Sequence, residues 1–196
     1  FQKFKVSTIQ SYLKIWHFNN SKTSKMIACS KNDRASTRAV ISLIRLGADI
    51  NKTNRYGANA LSLAAGYNTD GDKVRILLNR GAITSPRCSR PAIVIAAEYN
   101  NIPAVIAMLE YGIDCDTTDN MGNTPLDFAC HEGNTEICRI LLDAGADPLI
   151  KNVNGTTPYD TAMYHGNIHI DKTGVRQLMT DATEKPMACP PAEAPC

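Results

Sequence analysis

The chain has 196 residues, 43% of them hydrophobic, and a formal net charge of +2. That is the length of one domain or a short array, with enough apolar material to bury a core. No apolar run approaches the roughly 18 residues of a membrane-spanning helix, and no signal-peptide core precedes a small-residue cleavage site, which argues against secretion by that route.

The small net charge hides two opposed regions. Residues 1–31 carry six lysines and no acid, whereas residues 91–150 carry ten acids against Arg139 alone. The seven cysteines are odd in number and contain no CxxC pair. A zinc site or a nucleophile would need partners this scatter does not supply, so the thiols read as small apolar filling in a reducing compartment. Cys130 and His131 are neighbours in sequence, but adjacent helix positions point about 100° apart and do not face each other.

Residues 1–18 place Val6, Ile9, Leu13 and Trp16 on one helical stripe, widened by Phe4, Tyr12, Ile15 and Phe18. This predicts an N-terminal amphipathic helix. Three roles compete for it: packing on the body that follows, a targeting or membrane-surface helix, and an anchor for a partner. Residues 19–25 form a polar linker. From Met26 to Asp49 a degenerate unit has a short first helix near Met26–Ser30, a polar KNDRAST separator, and a second helix over Ala39–Leu46 closed by Gly47-Ala48-Asp49.

Asn54 to Ala82 repeats that plan with an opening helix around Leu61–Ala65 and a second around Val74–Leu78. Its inner turn, GYNTDGD, is one residue longer than the later copy and should bulge. Pro86 to Asp114 is the next unit, with a shortened finger between Gly81 and Pro91, and Pro103 in the first helical turn behind Asn101.

The clearest unit is Asp119–Asn152. Thr124 can cap a helix over Thr124–His131, Pro125 sits where its missing N–H costs nothing, Gly133-Asn134 breaks the chain, and a second helix runs Glu136–Asp143 to Gly145. Gly145 lies 33 residues after Gly112, and Ala129 lies 33 after Ala96. A helix under about 12 residues is marginal alone, so such units must stack. A fifth unit opens at Asn152 with Gly155-Thr156-Thr157-Pro158 and ends in a shortened capping helix, Val175–Met179. Residues 181–196, with four prolines and no apolar period, read as a tail.

The opening Gly122-x-Thr124-Pro125-Leu126, with Ala129, Gly133-Asn134, Ile140-Leu141-Leu142 and Gly145-Ala146-Asp147, resembles the ankyrin repeat. The resemblance implies an all-α solenoid of helix-turn-helix units with short β-hairpin-like loops over residues 26–180. The helix-one histidine common in that family is replaced here by Ser62, Val94, Asp127 and Asp160. Asp127 and Asp160 would stack roughly 10 Å apart; as a carboxylate pair they are less persuasive than as short polar groups tying helix starts to the adjoining turns.

No phosphate loop, HExxH, GxSxG or paired metal ligands occur, so no catalytic residue, metal or cofactor is expected. By resemblance, binding falls on finger tips and the exposed ends of the first helices. The candidate residues are Arg55, Tyr56, Tyr67, Arg87, Tyr99, Asp114, Asp116, Asp119, Met121, His131, Glu132 and Tyr164. Arg90 is a further tip position. The expected function is a non-enzymatic adaptor or assembly subunit binding another protein, one with a basic patch given Glu98, Asp114, Asp116, Asp119 and Glu132. The alternatives are a targeting or regulatory fragment of a larger enzyme or effector, and a membrane-peripheral protein held by residues 1–18. Specific nucleic-acid binding ranks last, because the acidic middle repels phosphate. The expected compartment is intracellular and reducing, the cytoplasm first, with mitochondrial or host-delivered settings as alternatives.

Overall fold

A computed structural model describes residues 34–54, 56–67, 71–85, 90–164 and 173–184. The expected N-terminal helix, the linker, the first helix near Met26–Ser30, the extra residue of the second unit's inner turn and the shortened finger lie wholly or partly outside them, as does the tail beyond Glu184.

The described helices are α1 (Arg34–Arg45), α2 (Ala60–Gly66), α3 (Gly71–Asn79), α4 (Ala92–Glu98), α5 (Ile102–Glu110), α6 (Pro125–Glu132), α7 (Thr135–Asp143), α8 (Pro158–Met163) and α9 (Thr173–Glu184). They form two layers. The first helix of each unit builds an inner ladder, α2 on α4 on α6 on α8, and the second helices build an outer one, α1 on α3 on α5 on α7 on α9. Ala64, Ala65, Ala96, Ala97 and Ala129 are fully buried along the inner ladder, where small side chains let helices approach closely. Leu61, Ile93, Leu126, Val74, Leu77, Met108, Ile137 and Leu141 fill the space between layers. Each buried side chain of that size is worth about 1.5–3 kcal/mol, which is how helices too short to stand alone are held.

Local signals set the helix ends. Thr124 and Asp127 form a reciprocal capping box at the head of α6, with Pro125 in its first turn and Gly133 closing it at φ 73°. Thr157 and Asp160 repeat the box at the head of α8. Two asparagines bolt units together. The Asn101 side-chain amide donates to the Ala64 and Ala65 carbonyls at 3.2 and 2.8 Å, and that of Asn134 donates to the Ala97 carbonyl at 3.0 Å.

Among the described residues there is no strand. The fingers are tight turns closed by main-chain bonds from Asn54 N–H to the Ala58 carbonyl, Asp119 to Asn123, and Asn152 to Thr156. At the head of each, one side chain accepts two turn N–H groups, as Asp119 Oδ1 does from Met121 and Asn123, both at 2.9 Å.

Two boundaries differ from expectation. The described part of α1 reaches back to Arg34, so Arg34 to Thr37 of the polar KNDRAST stretch are helical. An outer-layer helix turns one face to solvent, and polar residues there do not break it. Helix α9 is twelve residues long and runs to Glu184, past the five-residue helix and four residues into the stretch assigned to the tail. Val175 and Met179, its buried stripe, anchor it on α7 and α8.

Candidate partner-binding groove

Tyr67 and Tyr99 are the C-cap residues of α2 and α4, the same position in successive units, and Tyr56 stands on the second unit's finger. All three are more than half exposed, at 55%, 58% and 68%. They line one groove of about 410 Å³ whose floor includes Leu63, Gly66 and Ile95. A Cβ at Gly66 would lie 3.3 Å from Ile95 Cγ2, so the glycine keeps that floor low.

One wall is charged. Arg90 Nη1 meets Glu98 Oε2 at 2.7 Å, and the guanidinium stands 5.2 Å from the Phe128 ring centroid. Glu98 Oε2 is buried and its contact lacks hydrogen-bond direction, so the two form an ion pair rather than an aligned bond. The ring of the fourth unit thus holds an arginine of the third in place before any partner arrives.

The remaining candidates lie elsewhere. His131 and Glu132 end α6 and touch each other, Nδ1 to Oε1 at 2.8 Å. Tyr164 is exposed at the C-cap of α8. Met121 is exposed on the fourth finger, and its carbonyl accepts from Val153 N–H of the fifth at 3.0 Å. None of these four residues lines the groove. Arg55 and Arg87 lie outside the described residues.

The acidic candidates are engaged in turn and repeat-to-repeat bonds. Asp114 accepts from the Asp116 N–H at 2.9 Å. Asp116 accepts from the Asp147 N–H of the next unit at 3.1 Å, as Asn51 accepts from the Ile83 N–H at 2.7 Å two junctions earlier. Burial raises the Asp116 carboxyl above its ordinary range, with the charges of Asp114 and Asp147 adding to the rise, while the Asp147 N–H opposes it.

Cys115 lies between these carboxylates, and Asp114, Cys115 and Asp116 bring one donor atom each within 4.8 Å of one another. Burial first, then the charges of Asp116 and Asp114, push the Cys115 thiol up, the opposite of activation for nucleophilic work. Asp127 and Asp160 serve as capping carboxylates, each accepting from the backbone N–H of its threonine, at 2.9 and 3.0 Å. Cys130 is buried and His131 exposed, so the two form no dyad.

The apolar floor was the part hardest to see in the sequence, because Leu63 and Ile95 read as ordinary core positions of their helices. Arg90 and Glu98 are visible individually, but only packing joins them to Phe128.

A model describing ankyrin repeats in three copies matches residues 25–119, 70–152 and 95–185. The chain belongs to the ankyrin-repeat family. Ankyrin repeats are a non-catalytic fold that generally mediates protein–protein interaction. Among relatives, the mouse (Mus musculus) nuclear factor NF-kappa-B p105 subunit is 35% identical over 107 residues, 53% of this chain and 11% of that protein. The Arabidopsis thaliana potassium channel AKT2/3 is 29% identical over 136 residues, 69% of this chain and 16% of the channel. The mouse cyclin-dependent kinase 4 inhibitor B is 28% identical over 119 residues, 58% of this chain and 88% of the inhibitor. This ankyrin-repeat chain therefore spans only a small part of the first two.

Proposed function

We propose that this ankyrin-repeat chain is a docking module that binds another protein on its inner face, as an adaptor or a subunit of a larger assembly. The carrying observation is the groove in which Tyr56, Tyr67 and Tyr99 are presented together beside the fixed Arg90–Glu98 pair. Tyrosine and arginine combine large contact area with hydrogen bonding, and groups already held in place lose little freedom on binding. One relative, by its name, inhibits a kinase, so a folded protein is the class of partner that fits. Binding in a reducing compartment suits Cys115 and Cys138, both free thiols.

Affinity capture should be run in parallel with wild type, a Tyr67→Ala/Tyr99→Ala variant and an outer-face Glu136→Gln/Arg139→Gln control. Proteins retained by wild type and the control but lost with the tyrosine variant support the groove. Equal retention by all three, or loss only with the control, overturns it.

The surplus of ten acids over Arg139 in residues 91–150 favours a partner with a basic patch. Asparagine already stands at the positions equivalent to Asp116 and Asp119, at Asn51 and Asn54, so an Asp114→Asn/Asp116→Asn/Asp119→Asn variant removes charge while keeping the turn acceptors. Slower association with a shallower salt dependence is expected. Unchanged rates across the salt series would leave aromatic anchoring as the whole of recognition.

A further inference from the structure

In the fourth repeat two sulfurs meet. Cys130 Sγ of α6 and Cys138 Sγ of α7 are 3.9 Å apart, and neither residue has any exposed surface. We infer that Cys130 and Cys138 form a modification site at which a peroxide converts the two thiols into a disulfide bridging α6 and α7.

The chemistry balances. One thiolate attacks a peroxide oxygen, breaking the O–O bond and giving a sulfenic acid and water. The second thiol then attacks that sulfur and expels a second water. In sum two thiols and one hydrogen peroxide give one disulfide and two waters, the sulfurs losing the two electrons that the peroxide gains. A disulfide requires sulfurs about 2.05 Å apart, so the pair must close by roughly 1.9 Å, within reach of side-chain rotation and a small helix shift.

The surroundings favour a bridge over a bound metal. Among the described residues the groups of three or more ligand-type side chains reduce to Asp114, Cys115 and Asp116, so no zinc-type set gathers around the buried pair there. A disulfide is neutral and leaves no charge in an apolar core. Cys115 is the contrasting thiol: its sulfur contacts the Ala144 carbonyl at 3.7 Å, and burial, then the charges of Asp116 and Asp114, push it up.

A closed repeat shields both sulfurs, so oxidation proceeds when α6 separates from α7 and records that opening. Only eight sequence positions separate the cysteines, which keeps them close in the opened state and lets bridging outrun further oxidation of a single sulfur. The bridge would sit behind the last turn of α6, which carries His131 and Glu132. The chemistry is independent of the docking reading.

The test treats the full folded chain with hydrogen peroxide, alkylates remaining thiols after denaturation, and cleaves after glutamate and aspartate, since cuts at Glu132 and Glu136 place the two cysteines in separate peptides and cuts at Asp116 and Asp119 part Cys115 from Cys130. The expected product is a Cys130–Cys138 linked peptide pair, two hydrogens lighter than the sum of the reduced peptides and separated by dithiothreitol. Urea below the unfolding transition should accelerate its formation, and Cys138→Ala should leave Cys130 unbridged. Recovery of both cysteines in alkylated form while other thiols oxidise, separate sulfinic acids at the two positions, or a dominant link from either to Cys115 would each overturn the inference. Wild-type mapping decides this even where a variant folds poorly.

Discussion

The heads of α6 and α8 are written with the same four-residue pattern, Thr-Pro-x-Asp, and make the same reciprocal bonds, yet their carboxyls titrate in opposite directions. Asp127 accepts from the Thr124 N–H at 2.9 Å, and Asp160 accepts from the Thr157 N–H at 3.0 Å. In the fourth repeat α8 packs over α6 and buries Asp127. Burial pushes its carboxyl up to about 6, against the opposing bonds from Thr124 and the Thr161 hydroxyl. Asp160 is exposed, and there the Thr157 hydroxyl, then the Thr157 N–H, hold the carboxyl below its ordinary value. One motif therefore caps both helices, but the neighbouring repeat decides what the cap does to a proton.

If the fourth repeat is interior and the end of the stack is looser, packing defects should separate them most. Leu141→Ala, at a fully buried position of α7, should cost about 2–5 kcal/mol. Leu178→Ala, at a half-buried position of α9, should cost less than about 2 kcal/mol. Urea unfolding measures both, and equal losses would break the comparison.

The two aspartates give a second contrast, with opposite signs. Between the ordinary carboxyl value and about 6 the folded chain keeps a proton on Asp127 that the unfolded chain has released. The stability from this group is full below about pH 4 and is lost as pH rises through about 6, a change on the order of 3 kcal/mol at most. Asp127→Asn should remove that dependence and unfold at a higher urea concentration than wild type at pH 7. For Asp160, with a lowered folded value, stability is present above the ordinary value and lost as pH falls through the folded one. Asp160→Asn should flatten the acid side of the profile instead. Identical profiles for the two variants would show that stacking does not distinguish the boxes.

The finger glycines sharpen the comparison further. Gly122 and Gly155 both adopt φ 75°, where a side chain costs about 1–2 kcal/mol. A Cβ at Gly122 would also lie 3.2 Å from Asn152 Cα of the next finger, whereas one at Gly155 would meet nothing within 4 Å. Gly122→Ala should therefore lower the melting midpoint more than Gly155→Ala does.

Much of the fold was legible. The helix at Thr124–His131 became Pro125–Glu132, and the one at Glu136–Asp143 became Thr135–Asp143, because threonine caps, first-turn prolines and Gly133 act within a few residues of themselves. The extents of α1 and α9 were misjudged because their polar end residues carry no apolar period, and the length of an outer-layer helix depends on the helices it lies against.

What the sequence alone determined is the repeat period and hence the ankyrin-repeat family, together with the turn and cap chemistry, which is set by interactions between residues two to four positions apart. The tertiary structure decided that Tyr56, Tyr67 and Tyr99 share a groove, that Arg90 rests between Glu98 and Phe128, and that Cys130 meets Cys138. It also decided that Asp127 and Asp160 differ. Those outcomes depend on which surfaces neighbouring helices cover and how far water is excluded from them, quantities that exist only once the repeats are stacked.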